Sequence, residues 1–439
     1  MAYAVGVLVM VVGILASIAL HEVGHMVPAK RFGVRVSQYM VGFGPTLWSR
    51  TRGETEYGLK AVPLGGYVRL VGMYPPPDAV GNPPVRGRIG RLVQDARESS
   101  AQEIRPGEDH RAFYRLSTPK KLVVMLGGPV MNLVIAAVLL TAVLVGFGLP
   151  GATTTVSSVS DCVVAAAEGD RECRASDPVA PAAAAGIRPG DTIVEFDGAP
   201  VTDWAALQDT IRATDAEPIP VVVERDGQRI ALTVTPLVTE RPVIGPDGGP
   251  VLDAEGEITT VPVGFLGLAP ATALIREPVG AVPGFIADAV VQTVGVVTHL
   301  PSRIADVAEA AFGTAPRDPS GVIGVVGISR VAGEVAADGG GSLGLTGQVL
   351  TLVSLVASLN IALFVFNLIP ILPLDGGHIA GALYEGARRQ VARVRGLPRP
   401  QPADIARMAP LTLGMVVVFL GVGALLVYAD LVRPITLGG

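Results

Sequence analysis

The sequence predicts an α-helical polytopic membrane protein with about four transmembrane helices, membrane-dipping β-strands and an inserted α+β domain. Composition is the first reason: 49% of the 439 residues are hydrophobic and only 17% are charged, against about 25% charged residues in soluble domains. The mean hydropathy of +0.49 agrees with this class. The second reason is that long apolar runs alternate with polar stretches, of which the longest covers residues 151–275. The chain is therefore expected to combine a membrane portion with a water-exposed domain.

The first apolar run, residues 1–20, contains no Asp, Glu, Lys or Arg and is long enough to cross a bilayer, which takes about 20 apolar residues. It ends in His-Glu-Val-Gly-His, residues 21–25. On a helix His21 and His25 project from one face and can bind one metal ion, with Glu22 beside them to take a proton from water. Alternatively, the two histidines are structural residues of the core or the interface. Polar groups at membrane depth, however, are costly and usually functional. A signal peptide is disfavoured because the run has no basic start.

Charge asymmetry predicts the orientation in the membrane. Residues 30–121 carry 16 Lys and Arg against 8 Asp and Glu, whereas residues 151–280 carry 8 against 20. Positively charged loops remain in the cytoplasm, so the N-terminus and the acidic domain are predicted to lie outside the inner (plasma) membrane. A second basic stretch, residues 385–409, fits a second cytoplasmic loop.

Residues 35–75 predict short strands that are separated by Gly and Pro turns. A sheet edge at membrane depth must be buried in protein or wet, so these strands are expected to dip into the membrane domain beside the metal. There, Gly65, Gly66 and Tyr67 are candidate contacts for an extended substrate strand. An ordinary cytoplasmic hairpin is the alternative. The Pro- and Arg-rich residues 76–120 predict a flexible or partly ordered cytoplasmic loop.

The second span, residues 121–149, begins with small residues that permit close helix packing. Asn132 is polar at membrane depth and therefore faces protein, either as a structural hydrogen-bonding group or as a residue that lines the site. Helical spacing over residues 278–315 favours amphipathic helices on the membrane surface over a full span.

The third span is broken by Pro370 and Pro373. The break leaves Asp375 at membrane depth, where an unpaired carboxylate is expensive and a metal ion is its natural partner. His21, His25 and Asp375 would complete a three-ligand zinc site with one open position. Asn367 and the backbone freed around Pro370 are candidates to hold an extended substrate. As a fourth ligand, His378 would fill the open position that catalysis needs. His378 is therefore predicted to support the site or the fold without binding the metal.

The polar domain resembles a PDZ domain, of the permuted bacterial kind. Residues 180–198 fit a short helix, a Pro-Gly-Asp turn, a strand and an Asp-Gly turn, and residues 221–234 fit a hairpin. Residues 264–268, Gly-Phe-Leu-Gly-Leu, resemble the loop that cradles a peptide carboxylate in that family. Residues 240–260 read as an inserted loop. Such a groove would bind peptide termini by strand addition.

Cys162 and Cys173 lie eleven residues apart in the predicted outer domain. They are either a disulfide or two free thiols. An oxidising compartment favours the disulfide.

Together these motifs resemble the site-2 protease family of intramembrane zinc metalloproteases. His21 to His25, Asn367 to Pro370, Leu374 to Gly376, and Gly128 to Asn132 carry the resemblance, with the PDZ-like domain between the second and third core spans. The Arg-rich, Lys-poor composition and the two cysteines resemble actinobacterial members. The family implies a zinc metalloendopeptidase with one zinc ion per chain. It also implies regulated intramembrane proteolysis of single-pass membrane proteins such as anti-sigma factors or remnant signal peptides.

Two other function classes are weighed against this one. A catalytically silent membrane scaffold that presents a PDZ domain is disfavoured because His21, Glu22, His25 and Asp375 are all present. A metal transporter would distribute ionisable residues along several spans, whereas the spans here offer one cluster. The lipid bilayer is expected to be a partner of this protein, and nucleic acid is not.

The predicted segments follow in chain order. They are transmembrane helix 1 (1–34), a membrane-associated β region (35–75), a cytoplasmic loop (76–120), transmembrane helix 2 (121–149), an extracytoplasmic PDZ-like domain (151–275), amphipathic helices and a linker (278–340), transmembrane helix 3 with the Leu-Asp-Gly motif (345–384), a basic loop (385–409) and transmembrane helix 4 (410–432).

Overall fold

The computed structural model describes residues 2–82, 85–164, 171–243, 251, 258–313, 317–318, 321–337 and 344–435, with the side chains of residues 63 and 64 excepted. The chain divides into two compact units. The first comprises Met1–Gly146 and Pro278–Gly439, and the second comprises Phe147–Glu277. Most of the predicted inserted loop, residues 240–260, lies outside the described residues.

Helices dominate the first unit. In chain order the helices of both units are α1 (Ala2–Arg31), α2 (Gly87–Gln102), α3 (Thr118–Thr141), α4 (Pro181–Ala184), α5 (Trp204–Arg212), α6 (Val282–Thr298), α7 (Leu300–Phe312), α8 (Val325–Ala337), α9 (Gly344–Asn367), α10 (Asp375–Val394) and α11 (Ala409–Val432).

Five helical segments among the described residues are long and apolar enough to cross a bilayer, whereas the sequence predicted about four spans. They are Ala2–Arg31, Thr118–Phe147, Val279–Thr298, Gly344–Asn367 and Ile405–Val432. The additional segment contains α6, which the sequence assigned to the membrane surface. Asp288 is the single charged residue of α6, so most of the helix circumference is apolar. By length and composition α6 fits a span, so the prediction of surface helices throughout residues 278–315 stays a prediction.

Two regions predicted as cytoplasmic loops contain helices. In residues 76–120, α2 buries Val93 and Arg97 on one side, and the Arg97 Nε donates to Asp404 Oδ1 at 3.2 Å. The first ten residues of the predicted basic loop, residues 385–394, are helical. They form the second half of α10, a separate helix that begins at Asp375 after the proline break. The predicted third span therefore corresponds to two helices, α9 and α10.

The described part of the chain contains ten strands: β1 (Val36–Arg52), β2 (Thr55–Leu70), β3 (Leu149–Val159), β4 (Thr192–Phe196), β5 (Ala199–Pro200), β6 (Ile219–Arg225), β7 (Gln228–Val234), β8 (Leu237–Pro242), β9 (Thr260–Phe265) and β10 (Leu268–Ile275). Of these ten strands, β1 and β2 belong to the first unit. They form the region in which the sequence predicted several short strands.

β1 and β2 are long antiparallel strands that bend back and make four paired segments. Residues 36–41 pair with residues 66–70 on one side and with residues 56–59 on the other, and residues 46–52 pair with residues 55–60. The bend in β1 falls at Gly42 and Gly44, whose positive φ angles of 93° and 83° are accessible to glycine at little cost. Residues 66–70 therefore form one edge of this small sheet.

The second unit is built on an antiparallel sheet in the order β10-β3-β4-β6-β7, with β5 paired to β4 and a separate β8–β9 hairpin. Its core contains Ile193, Phe196, Val221, Val223 and Val234, each at most 2% exposed. Cys162 and Cys173 are joined by a disulfide bond. The short helices α4 and α5 and the sheet make this an α+β unit.

Candidate metal centre and its cavity

Three potential ligand atoms converge in the first unit. His21 and His25 lie one turn apart on α1, and their Nε2 atoms are 3.2 Å from each other. The Oδ2 atom of Asp375 is 3.3 Å from each of these nitrogens. The proline break ends α9 and lets α10 start at Asp375, which brings the carboxylate to the two histidines. Among the described residues, these three form the cluster of His, Cys, Asp and Glu side chains that could hold a metal ion.

The donor set fits a zinc ion. Zinc binds imidazole nitrogen and carboxylate oxygen at about 2.0–2.2 Å in tetrahedral geometry, so its ligand atoms should lie roughly 3.3–3.5 Å apart. The three observed separations of 3.2 and 3.3 Å are close to this range. In addition, Asp375 Oδ2 is a buried oxygen with no hydrogen-bond partner among the described residues. A carboxylate oxygen left in this state is costly unless a cation binds it.

Helix α3 packs against α1 at van der Waals distance because glycines meet at the crossing. A Cβ atom added at Gly24 or at Gly127 would collide with the backbone of the other. A Cβ atom added at Gly128 would collide with His25 Nε2 and would lie 2.7 Å from His21 Nε2. Small residues allow this close backbone approach in membranes, and at Gly128 the missing side chain leaves room for the two imidazoles.

Both imidazoles also contact α3 through their Nδ1 atoms. The Nδ1–H of His25 donates to the carbonyl oxygen of Val124 at 2.8 Å. The Nδ1 of His21 lies 3.1 Å from the terminal amide of Asn132, which is fully buried. One turn before His21 on α1, Ser17 accepts a hydrogen bond from Asn360 of α9 at 2.8 Å. The helix that carries the histidines is therefore hydrogen-bonded through side chains to both α3 and α9.

A cavity of about 540 Å³ opens beside the cluster. It is lined by Ile18, His21, Glu22, Phe43, Gly65, Gly66, Asn132, Leu363, Asn367, Leu374, Val416, Phe419 and Leu420.

Six of the residues that the sequence singled out line this cavity. Gly65, Gly66, Asn132 and Asn367 line it together with His21 and Glu22. Two candidate substrate contacts, Tyr67 and Pro370, do not. The Tyr67 ring instead stacks on Phe43, with 6.2 Å between the ring centroids, and Pro370 is exposed.

The apolar part of the cavity wall was not predicted from the sequence. Phe43 on β1 and Val416, Phe419 and Leu420 on α11 line the cavity. On sequence alone these residues carry no signal that distinguishes them from lipid-facing side chains. Only the fold reveals which apolar side chains face the cavity.

The second unit has a smaller cavity of about 230 Å³. It is lined by residues of α5, by Arg241 and Pro242 at the end of β8, and by residues 263–268. The segment that resembles a carboxylate-cradling loop therefore faces α5. The Arg241 guanidinium lies over the Phe265 ring at 4.1 Å.

Sequence comparison places the chain among known proteins. Residues 9–397 match peptidase family M50. The chain is 34% identical over 440 residues to the zinc metalloprotease Rip1 of Mycobacterium bovis, and 33% identical over 447 residues to that of Mycolicibacterium smegmatis, with complete coverage of both chains in each case. It is 29% identical over 407 residues to the metalloprotease MmpA of Caulobacter vibrioides, with 89% of each chain covered.

These matches extend over nearly the whole chain, and they agree with the resemblance that the sequence motifs carried. The apolar helical segments and the family match make it a membrane protein. The protein belongs to peptidase family M50, the site-2 protease family, and is a zinc metalloprotease.

Proposed function

We propose that the protein is an intramembrane endopeptidase in which His21, His25 and Asp375 bind one zinc ion and Glu22 is the catalytic base. Its substrates are single-pass membrane proteins, such as anti-sigma factors or remnant signal peptides. The observation that carries the proposal is the convergence of three ligand atoms, 3.2–3.3 Å apart. Both histidines lie on α1, which is apolar enough to cross a membrane, and Asp375 follows α9, which is as well.

The chemistry divides between the metal and Glu22. Zinc, when bound, supplies Lewis acidity, which lowers the pKa of water and polarises a peptide carbonyl. Glu22 follows His21 on α1 and is about 9% exposed at the cavity wall. Its carboxylate accepts the proton of the attacking water and then delivers a proton to the leaving amine, as a general base and acid does.

A substrate helix must unwind before cleavage, because its carbonyl oxygens are hydrogen-bonded within the helix. The β-edge of residues 66–70 offers a place for the extended form. Its outer side pairs with no other strand among the described residues, and a Cβ atom at Gly66 would lie 3.2 Å from Glu22 Cγ. Strand addition at this edge would bring a substrate backbone beside the base. Asn367, on the wall of the same cavity, would hold the other side of the substrate.

The apolar surface of β1 supports a position within the membrane for the small sheet. Leu47 is 66% exposed and Trp48 is 60% exposed. Exposed side chains of this size suit a lipid surface or its interface. In this arrangement the metal centre lies within the membrane toward the cytoplasmic side of the plasma membrane, and the second unit lies outside.

The second unit is proposed to be a PDZ-like domain that binds the new terminus of a trimmed substrate. Support comes from the cavity between α5 and residues 263–268. Deletion of residues 155–270 should then allow cleavage of an untrimmed substrate. Continued dependence on prior trimming would contradict this role.

The direct test of the catalytic proposal is cleavage of a single-pass reporter by the wild-type protein and by Glu22→Gln, with zinc measured in both. We expect Glu22→Gln to retain zinc and to lose cleavage, because the amide cannot accept the proton. Glu54→Gln, a change at an exposed acidic residue of the β region, is the matched control and should cleave normally. Equal processing by the wild type and Glu22→Gln would refute the proposed base.

A further inference from the structure

The two candidate histidine ligands are contacted by different kinds of partner on α3. We propose that Asn132 is a positioning residue that orients His21 and selects its metal-binding tautomer, rather than a substrate contact. The inference rests on the proposed ligand set of His21, His25 and Asp375. It follows from the hydrogen-bond chemistry of the imidazole and amide groups.

The atoms that converge at the centre define the tautomer that is required. His21 approaches His25 and Asp375 with its Nε2 atom. A neutral imidazole has one N–H and one lone pair. A metal at the centre needs the lone pair on Nε2, so the proton must be on Nδ1, and Nδ1 needs a hydrogen-bond acceptor.

His25 shows how this requirement is met. Its Nδ1 lies 2.8 Å from the Val124 carbonyl oxygen. A carbonyl oxygen can only accept, so this contact by itself keeps the proton on Nδ1 and leaves Nε2 free. Ligand histidines usually donate their second nitrogen to an oxygen in this way.

His21 has the Asn132 side chain in the corresponding place. In one of its two amide orientations, the Nδ2 of Asn132 lies 3.1 Å from His21 Nδ1, and its Oδ1 is buried without a partner among the described residues. That orientation would make Nδ1 an acceptor and would put the ring proton on Nε2, against the other two ligand atoms. A half-turn of the amide exchanges its nitrogen and oxygen. Oδ1 then accepts from His21 Nδ1–H, which gives the buried oxygen a partner and frees Nε2 for the metal.

The placement follows from the helical repeat of α3. Val124, Gly128 and Asn132 are four residues apart, so they lie along one face of the helix. Val124 supplies a backbone acceptor to His25, Gly128 leaves space for both rings, and Asn132 supplies a side-chain acceptor to His21. One face of α3 thus orients both imidazoles. Asn132 lines the cavity as well, but its side-chain amide is at hydrogen-bond distance from His21 Nδ1, and this contact accounts for its position without a substrate.

The experiment compares Asn132→Leu with Asn132→Asp in the full-length protein. The readouts are the zinc dissociation constant by chelator competition, thermal unfolding of the zinc-free protein, and kcat and KM at saturating zinc. Leucine has a similar size but cannot accept a hydrogen bond. We expect Asn132→Leu to weaken zinc binding about 10- to 100-fold, the usual effect of losing such a partner. Asn132→Asp keeps an acceptor and should bind zinc within a few-fold of wild type.

The outcomes separate the possible roles of Asn132. Unchanged zinc affinity in Asn132→Leu, or equal weakening in both variants, would overturn the inference. A raised KM with unchanged zinc affinity would return Asn132 to substrate binding. Lower stability of the zinc-free protein in both variants, with unchanged zinc affinity, would show a purely structural role.

His21→Ala separates this inference from the proposed function. If His21→Ala retains wild-type zinc affinity, the proposed ligand set itself is wrong. If His21→Ala loses zinc but Asn132→Leu does not, the ligand set stands and only the role of Asn132 is refuted.

Discussion

The contact between α1 and α3 and the core of the second unit are packed in opposite ways. Where α1 meets α3, glycines face each other, and large side chains of α3 such as Val134 and Val138 are 49% and 63% exposed. In the second unit, the large side chains Ile193 and Val223 are at most 1% exposed. Water drives apolar side chains inward, whereas lipid gives no such force between helices. Backbone approach and polar contacts must therefore set the geometry of the metal centre.

The largest effect expected from this comparison is at the glycine contact. Gly128→Ala should abolish zinc binding and proteolysis, with losses beyond about 100-fold, because the added methyl collides with the imidazoles that are proposed to bind the metal. Zinc content and reporter cleavage measure this effect. The control is Gly414→Ala on α11, where an added Cβ meets no atom within 4 Å. Zinc binding that survives in Gly128→Ala would mean that α3 can move away from α1 at little cost.

A smaller effect is expected in the core of the second unit. Ile193→Ala should destabilise that unit by about 2–5 kcal/mol, because it removes buried apolar volume. Val134→Ala on the exposed face of α3 should change stability by less than about 0.5 kcal/mol. Amide hydrogen exchange of the full-length protein in a bilayer mimic reports both units separately. Equal effects of the two substitutions would show that the proposed contrast in packing is absent.

The smallest effect concerns pH and the buried carboxylate of the second unit. Arg225 donates to Asp191 at 2.7 and 2.8 Å, and the Arg188 amide donates to it at 2.8 Å. These bonds, led by that of Arg225, hold the pKa of Asp191 below its usual value of about 3.9. Because the pKa of Asp191 is lower in the folded protein than in the unfolded chain, ionised Asp191 stabilises the fold at pH values above its unfolded-state pKa. This stabilisation is lost as the pH falls through the folded-state pKa.

The second unit should therefore keep its stability from neutral pH down to about 4 and lose it at lower pH. Amide exchange in β6 between pH 6 and pH 3 measures this loss. Asp191→Asn should flatten the pH dependence in part. Part of the pH dependence should remain in this variant, because Arg171 lowers the pKa of Asp177 to about 2 and Asp177 therefore also stabilises the unit less at low pH. An unchanged slope in Asp191→Asn would contradict the assignment.

The sequence was informative where chemistry restricts the choice of residues. The pair His21 and His25 has helical spacing in an uncharged run, and Asp375 follows a proline break, so a shared metal could be predicted from the cost of polar groups in lipid. The structure brings those three residues together. The family assignment was confirmed over nearly the whole chain.

Other features could not be derived from the sequence because they depend on tertiary contacts. The pairing of residues 36–41 on both sides requires the bend at Gly42 and Gly44. Glu385 of α10 is buried in an ion pair with Lys121 of α3, a partner far away in the sequence. Asn132 was recognised as polar and inward-facing, but its partner His21 is 111 residues away. The apolar wall from α11 has no polar signal at all.

The most direct test of the account is zinc K-edge X-ray absorption on the purified full-length protein, together with Asp375→Ala. The proposed centre predicts two imidazole nitrogens and one carboxylate oxygen at about 2.0–2.2 Å, with one fewer protein ligand and weaker zinc retention in Asp375→Ala. A first shell with a different number of imidazoles, or a spectrum that Asp375→Ala leaves unchanged, would contradict the convergence of His21, His25 and Asp375 on one zinc ion.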